Sequence, residues 1–385
     1  MKRQLKWLSW VLALGTFFAT PFLGCAAPAV AAEKVSVAII SLPFYSAWYI
    51  VKEKKMAKDI DLDVRVVEDI REKNALITRG EIQVMLNTMD SIIAARAAGV
   101  PIKMVAVPAM SYGLDEMVVT KDIHSERDFP GKKYGTDFGY IQHMWMLLTL
   151  KRAGIPFDAL KLVVALPQDS PSLFLTDQTD IDVNNLPFSL QSQRRPGSYV
   201  LKSSFTDKTW ERGLIGEAIV YNEKWFTEKP KVAKELLRAW FEAVNWWKEN
   251  PEEGDKIVAR GLGWWLEDVK QTMNGSMLLN IDQNLGAFGI RDGKPFCMSI
   301  PKEAPQPRPE ASGWGRFLFG GAPDCVAGYI YDTWKLFNDI YLQVGIATRV
   351  VDPKEAIDPS LLEDLAAEGY SQKYNSNRWI GRVGY

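Results

Sequence analysis

Side chains that accept from N–H groups recur in this 385-residue sequence beside aromatic rings, directly after short apolar, β-branched runs. Phe44, Tyr45 and Trp48 follow VSVAIIS, Thr88 and Asp90 follow IQVMLN, and Tyr112 and Asp115 follow IKMVAVPAM. Phe138, Tyr140 and Gln142 follow KKYGTD, and Asn184 and Asn185 close IDVNN. Aromatic faces suit a flat ring or an ammonium group, and carboxylate and amide oxygens accept from ring and exocyclic N–H. No Arg or Lys lies on these five loops, and Asp90 and Asp115 oppose an anion there. The chemistry these residues suit is reversible recognition of a neutral or nitrogen-bearing small molecule. Each has a plainer role too. Phe44, Tyr45 and Trp48 also fit a core cap, Asp90 fits a helix N-cap near Ser91, Asp115 fits a solvated turn, and His143 fits packing. FGYIQHMW presents backbone N–H groups at a helix N-terminus, which keeps a small anion open as the second ligand class.

Signatures of covalent chemistry are missing from the sequence. There is no GxGxxG opening a helix, no GxxxxGK[ST] and no GxSxG. His124 and His143 are the two histidines, and neither belongs to a metal-ligand spacing. Binding rather than catalysis is expected, with no cofactor and no metal. A net charge of -1 without basic clusters gives nucleic acid nothing to hold.

The loops need a sheet to gather them. Short apolar runs alternate with helical stretches from Val35 to Ala106, and the rhythm restarts near Lys132, which implies βαβ units and mainly parallel sheets. Ligands in such sheets sit beyond the carboxyl ends of the strands, where the five loops fall. EMVVT (Glu116 to Thr120) and EAIVY (Glu217 to Tyr221) flank the second block and read as crossovers between two lobes. The first lobe is expected over 33–119 and 218–385, the second over 120–217. The chain from Glu228 onward is mostly helical, and many of the sequence's 14 Trp belong to helical core patterns such as LLRAWFEAVNWW. The segment 289–324 is loop-like and rich in Pro. Cys297 and Cys325 stand near its two ends, as a disulfide in an oxidising compartment or as two buried thiols.

The N-terminus reads as an export signal over 1–32: Lys2, Arg3 and Lys6, an apolar run, then AAPAVAA. Phe22-Leu23-Gly24-Cys25 resembles a bacterial lipobox with Phe22 at the usual Leu, so Cys25 is either lipidated or discarded with the signal. The expected location is the periplasm or the outer face of the cytoplasmic membrane.

Three stretches carry a family resemblance: ALITRGEIQVMLNTMDSIIAARAAGVPIKMVA, PGKKYGTDFGYIQHMWMLLTLKRAGI and RGLIGEAIVYNEKWFTEKPKVAKELLRAWFEAVNWWKENPEEGDKIVARGLG. In order and spacing they resemble ABC-transporter substrate-binding proteins of the nitrate/sulfonate/taurine type, which share a fold with thiamine-pyrimidine-precursor binders. The resemblance implies a type II periplasmic-binding-protein fold: two α/β lobes closing over a small ligand as a monomer, with an ABC permease and its ATPase as partners. It also extends to an intracellular pyrimidine-synthase branch, which carries clustered cysteines that this chain lacks, and a receptor presenting ligand to a membrane sensor is a third role. Two departures stand out. Tyr140, Ile141 and Gln142 replace the small Ser/Thr residues of the family's anion cradle, and Asn185-Leu186-Pro187 replaces its Trp-acid-Pro step. They turn the expected ligand toward a nitrogen-containing aromatic such as a thiamine pyrimidine precursor, with sulfonate, nitrate or a similar small anion second.

Overall fold

A computed structural model describes residues 32–381; the expected export signal, except for Ala32, and Cys25 lie outside the described residues. The strands are β1 (Glu33–Ile39), β2 (Ile60–Val66), β3 (Val84–Thr88), β4 (Ile102–Ala106), β5 (Ala109–Ser111), β6 (Asp115–Val119), β7 (Lys133–Thr136), β8 (Lys161–Val164), β9 (Ile181–Asn185), β10 (Tyr199–Ser203), β11 (Glu217–Asn222) and β12 (Ser276–Leu278). They form two five-stranded sheets, ordered β2-β1-β3-β11-β4 and β10-β6-β9-β7-β8, and a small β12-β5 pair.

The two sheets are built alike. In the first, β2, β1 and β3 run parallel and β11 lies antiparallel between β3 and β4. In the second, β8, β7 and β9 run parallel and β6 lies antiparallel between β9 and β10. Each sheet therefore takes its antiparallel member from the strand that follows a passage between lobes. β6 sits wholly in the second sheet, with Asp115 opposite Asn185 and Val119 opposite Ile181. The first passage consequently falls before Asp115, earlier than the boundary after 119 that the sequence suggested. The return to the first sheet falls between Ser203 and Glu217.

Helices cover the first sheet. α1 (Ala47–Glu53) follows β1 and packs on the long helix Pro230–Glu249. That helix buries Leu236, Leu237, Trp240, Phe241, Val244 and Trp247 at three- and four-residue spacing, the stripe a core-facing helix needs. α2 (Ile70–Thr78) is capped by Asp69, whose carboxylate accepts from the Arg71 and Glu72 N–H groups. The Arg71 guanidinium, bound to the same carboxylate, and these backbone bonds hold Asp69 down near 2. Asp69→Ala is expected to cost about 1 kcal/mol. Because the folded value is depressed, that contribution is present above the ordinary carboxylate range and is lost as pH falls through about 2. Urea unfolding at pH 7 and at pH 2 checks both statements.

α3 (Met89–Ala97) and α4 (Ile141–Ala153) follow β3 and β7 and meet each other across the two lobes. Segment 289–328 leaves the helix Ile281–Phe288 and returns into the helix Tyr329–Gln343. Its two cysteines, Cys297 and Cys325, are disulfide-bonded. Among the described residues no helix is long and apolar enough to cross a membrane, and no group of acidic, His or Cys side chains is arranged to hold a metal ion.

Candidate functional site

The two passages between the sheets are stitched together. Ser111, on the first, lies 2.6 Å from Ser204, on the second, and Ser204 Oγ also accepts from the Gly113 N–H at 2.7 Å. The Asp115 carbonyl accepts from the Ser204 N–H at 2.8 Å. Asp115 and Glu217 are the first residues of β6 and β11, so each strand entering a sheet from the passages begins with an acid. Asp90 joins them from the first turn of α3. That helix begins at Met89 after Thr88, so Asp90 is not its N-cap.

These three carboxylates are buried, and Glu217 feels the charges of both Asp115 and Asp90. The Gln142 amide at the start of α4 donates to Asp115 Oδ1 at 2.7 Å. Tyr45 O–H donates to Glu217, and Tyr341 O–H donates to Asp90 Oδ2. Asp90 Oδ1 is buried without a hydrogen-bond partner. Burial raises the Asp90 and Asp115 carboxyls to about 6. Burial, reinforced by the charges of Asp115 and Asp90, raises Glu217 to about 8 against the opposing Tyr45 hydrogen bond and Lys73 charge. The buried Lys73 ammonium donates to the Leu86 carbonyl at 3.2 Å and is pushed down to about 7 by burial. The local balance is thus acid-rich: three carboxylates against one buried amine.

Nearer the solvent, Tyr140 spans the gap. It precedes α4 in the second lobe, and its hydroxyl interacts with the Ile70 N–H at the start of α2 in the first. Asp137, half-buried beside it, is raised to about 6 by burial and feels the charges of Asp69 and Arg71. Arg71 is exposed and tied to Asp69 at 2.6 Å. At the α4 terminus His143 Nδ1 accepts from the Gly139 N–H at 3.2 Å, and burial keeps its imidazole neutral, near 4.

The structure gathers Tyr45, Asp90, Asp115, Tyr140 and Gln142 from among the residues singled out in the sequence, and disperses others. Trp48 is fully buried in the first lobe, its ring 4.8 Å from that of Trp240, and Phe44 packs on Tyr45 at 4.6 Å. Both are buried in hydrophobic core; Trp48 is there because α1 turns that side toward the helix Pro230–Glu249. Thr88 is buried against Ser91 at 3.2 Å. Tyr112 stands in an aromatic cluster with Phe205, Trp210 and Phe296, and its hydroxyl donates to the Pro305 carbonyl. Phe138 is 52% exposed and rests on His143. The Asn185 amide turns back to the Leu186 carbonyl. The sequence reading passed over Glu217, Lys73, Arg71 and Tyr341. Glu217 had a signal: DEMVV and EAIVY both open on acids and play equivalent parts. Tyr341 had none, since it reaches the site from a helix near the chain's end.

Two lobes, two passages and loops gathered between them are the periplasmic-binding-protein fold, and the comparison with solved structures agrees. The aliphatic sulphonate binding protein SsuA of Escherichia coli superposes with a TM-score of 0.63 at 14% identity, over 85% of this chain and 92% of that one. The nitrate-binding protein NrtA of Synechocystis PCC 6803 gives 0.58 at 16% identity, over 91% of this chain and 92% of that one. The family model described as NMT1/THI5 like matches residues 44–254, and the chain belongs to that family. A Brucella abortus (strain 2308) protein whose name assigns it binding, without a ligand, is 26% identical over 166 residues, which is 42% of this chain. The match spans half the length of that relative.

Proposed function

We propose that the protein is an extracytoplasmic solute-binding protein that captures a small ligand between its lobes and delivers it to an ABC permease driven by its ATPase. It works as a monomer outside the cytoplasm and performs no catalysis. The ligand is a nitrogen-containing flat molecule, such as a thiamine pyrimidine precursor. The observation that carries this reading is the convergence of Asp90, Asp115 and Glu217 on the passages between the lobes, with the Tyr140 ring and Gln142 amide facing them. On opening, these groups meet water; on closing, their oxygen atoms accept from ligand N–H groups in a dry space, where such bonds count most. Tyr140 supplies a face for a ring.

A small anion is the second reading. It is favoured by Arg71 at the outer edge of the cleft and by structural neighbours named for sulphonate and nitrate binding. Against it stand the three carboxylates and the pairing of Arg71 with Asp69.

A melting series on the purified protein separates the two. Pyrimidines bearing an exocyclic amine, flavins and small amines are compared with taurine, alkanesulfonates, nitrate and bicarbonate. Ligand at a hundred times its Kd stabilises by about 2.7 kcal/mol, a shift of several degrees. A shift with ring or amine compounds is expected; a shift confined to the anions overturns the preferred ligand class.

A further inference from the structure

Segment 289–328 contacts the two passages and the second lobe, although both its ends belong to the first. At its root Gly289 and Gly328, both at positive φ, lie back to back: a Cβ on Gly289 would come within 3.1 Å of Gly328 Cα. The Gly328 N–H donates to the Gly286 carbonyl at 2.8 Å, closing the loop. Asn284, in the helix that leads into this root, exchanges hydrogen bonds with Val107 at the end of the first sheet. Inside, the Cys297–Cys325 disulfide ties the outgoing limb to the returning one, and the Asp324 carboxylate accepts from the Gly313 and Gly315 N–H groups.

The far end grips α4 of the second lobe and the start of the second passage, where Asp207 is itself bonded to Arg152 and Trp145 of α4. Trp314 is fully buried, with the Arg152 guanidinium of α4 3.6 Å from its ring centroid. Its indole N–H donates to the Asp207 carbonyl at 2.7 Å. The Lys208 ammonium donates to the carbonyls of Arg308 and Glu310. Between root and tip, Tyr112 on the first passage donates to Pro305, and Arg212 on the second donates to Pro323.

We propose that segment 289–328 is an interlobe strap, rooted in the first lobe and clamped through Trp314 on the second lobe and through Lys208 on the second passage, that limits how far the cleft opens. Hinge motion concentrates its dihedral changes in a few connecting residues, here those of the two passages, and the strap is bonded to both. A wide opening must either carry the strap away from its glycine root or pull Trp314 from under Arg152 and strand the Lys208 ammonium. The strap therefore holds the unliganded protein toward closure, whatever ligand the cleft takes.

The test uses the unliganded full chain and two readouts, small-angle scattering for lobe separation and amide exchange for strap order. The double variant Trp314→Ala/Lys208→Ala removes the clamp, and Cys297→Ser/Cys325→Ser loosens the strap without touching the second lobe. Residues 303–324 are expected to exchange roughly tenfold faster in each variant, together with a larger radius of gyration than in the wild-type protein. Faster exchange with an unchanged radius of gyration overturns the proposal, because the lobes would then be indifferent to the strap. Unchanged exchange in both variants overturns it equally, because these contacts would not be what holds the strap in place. The disulfide variant keeps the test decisive if loss of Trp314 unfolds the chain.

Discussion

Glu217→Gln is expected to stabilise the protein at alkaline pH and to leave it nearly unchanged in acid. Glu217 is buried at the start of β11, with Tyr45 O–H bonded to it and two other acids close by. Its carboxyl titrates near 4.5 when unfolded and near 8 when folded. A raised folded value means that the folded state holds the extra proton between those limits. The contribution is whole below about 4.5 and is lost as pH rises through about 8. The full shift corresponds to about 5 kcal/mol, less whatever water reaches the carboxylate as it ionises. Gln keeps the shape and an acceptor for Tyr45 but has nothing to ionise. The variant's advantage should therefore open with rising pH and reach a few kcal/mol by pH 8.5. Lys73, pushed down by burial to about 7, acts in the other sense, since its penalty is relieved as pH rises above 7. It is present in both proteins. Denaturant titrations at several pH values measure the gap; a gap constant with pH would show that Glu217 does not carry a buried proton.

The same residue shows where sequence reading succeeded and where it stopped. Alternation of apolar strands with helices was enough to expect two α/β lobes, because strands covered on both faces of a parallel sheet are mostly apolar along their length. The flanking runs EMVVT and EAIVY marked the turnover between lobes for the same reason. Membership of a sheet is a matter of pairing at long range. β6 belongs to the second sheet because Asp115 to Val119 face Asn185 to Ile181, and nothing local in DEMVV announces that. The aromatic residues show a similar limit. Trp48 follows a strand end just as Tyr45 does, yet Tyr45, in the 3-10 turn before α1, bonds to Glu217, while Trp48, in the first turn of α1, packs on Trp240. A count of aromatic residues near strand ends cannot separate the two; the turn that each occupies decides. Tyr341 and the strap's clamp lay further out of reach, since each depends on a late segment folding back across the molecule.

Asp115→Asn separates the ligand classes by the sign of its effect. Asp115 stands where the first passage enters β6, 2% exposed, with its Oδ1 held by Gln142. Asn matches it in size, and the Gln142 amide can turn to pair with an amide oxygen, so the fold has little to lose. The folded carboxyl titrates near 6, so at pH 7.5 the wild-type site carries most of a negative charge. A ligand that places a cationic or N–H-rich edge against that charge loses a charge-assisted hydrogen bond in the variant, worth about 1.5–3 kcal/mol, or roughly tenfold to a hundredfold in Kd. An anionic ligand meets less repulsion in the variant and binds more tightly. The wild-type preference for a cationic or N–H-rich ligand should also weaken below pH 6, as Asp115 takes up its proton, while the variant keeps only the smaller dependence that Asp90, also raised to about 6, contributes. Isothermal calorimetry at pH 7.5 and 5.5, with whichever compound shifts the melt, reads both effects. Equal affinity in the two proteins for an amine or pyrimidine would remove Asp115 from the binding surface and leave it as a hinge residue alone.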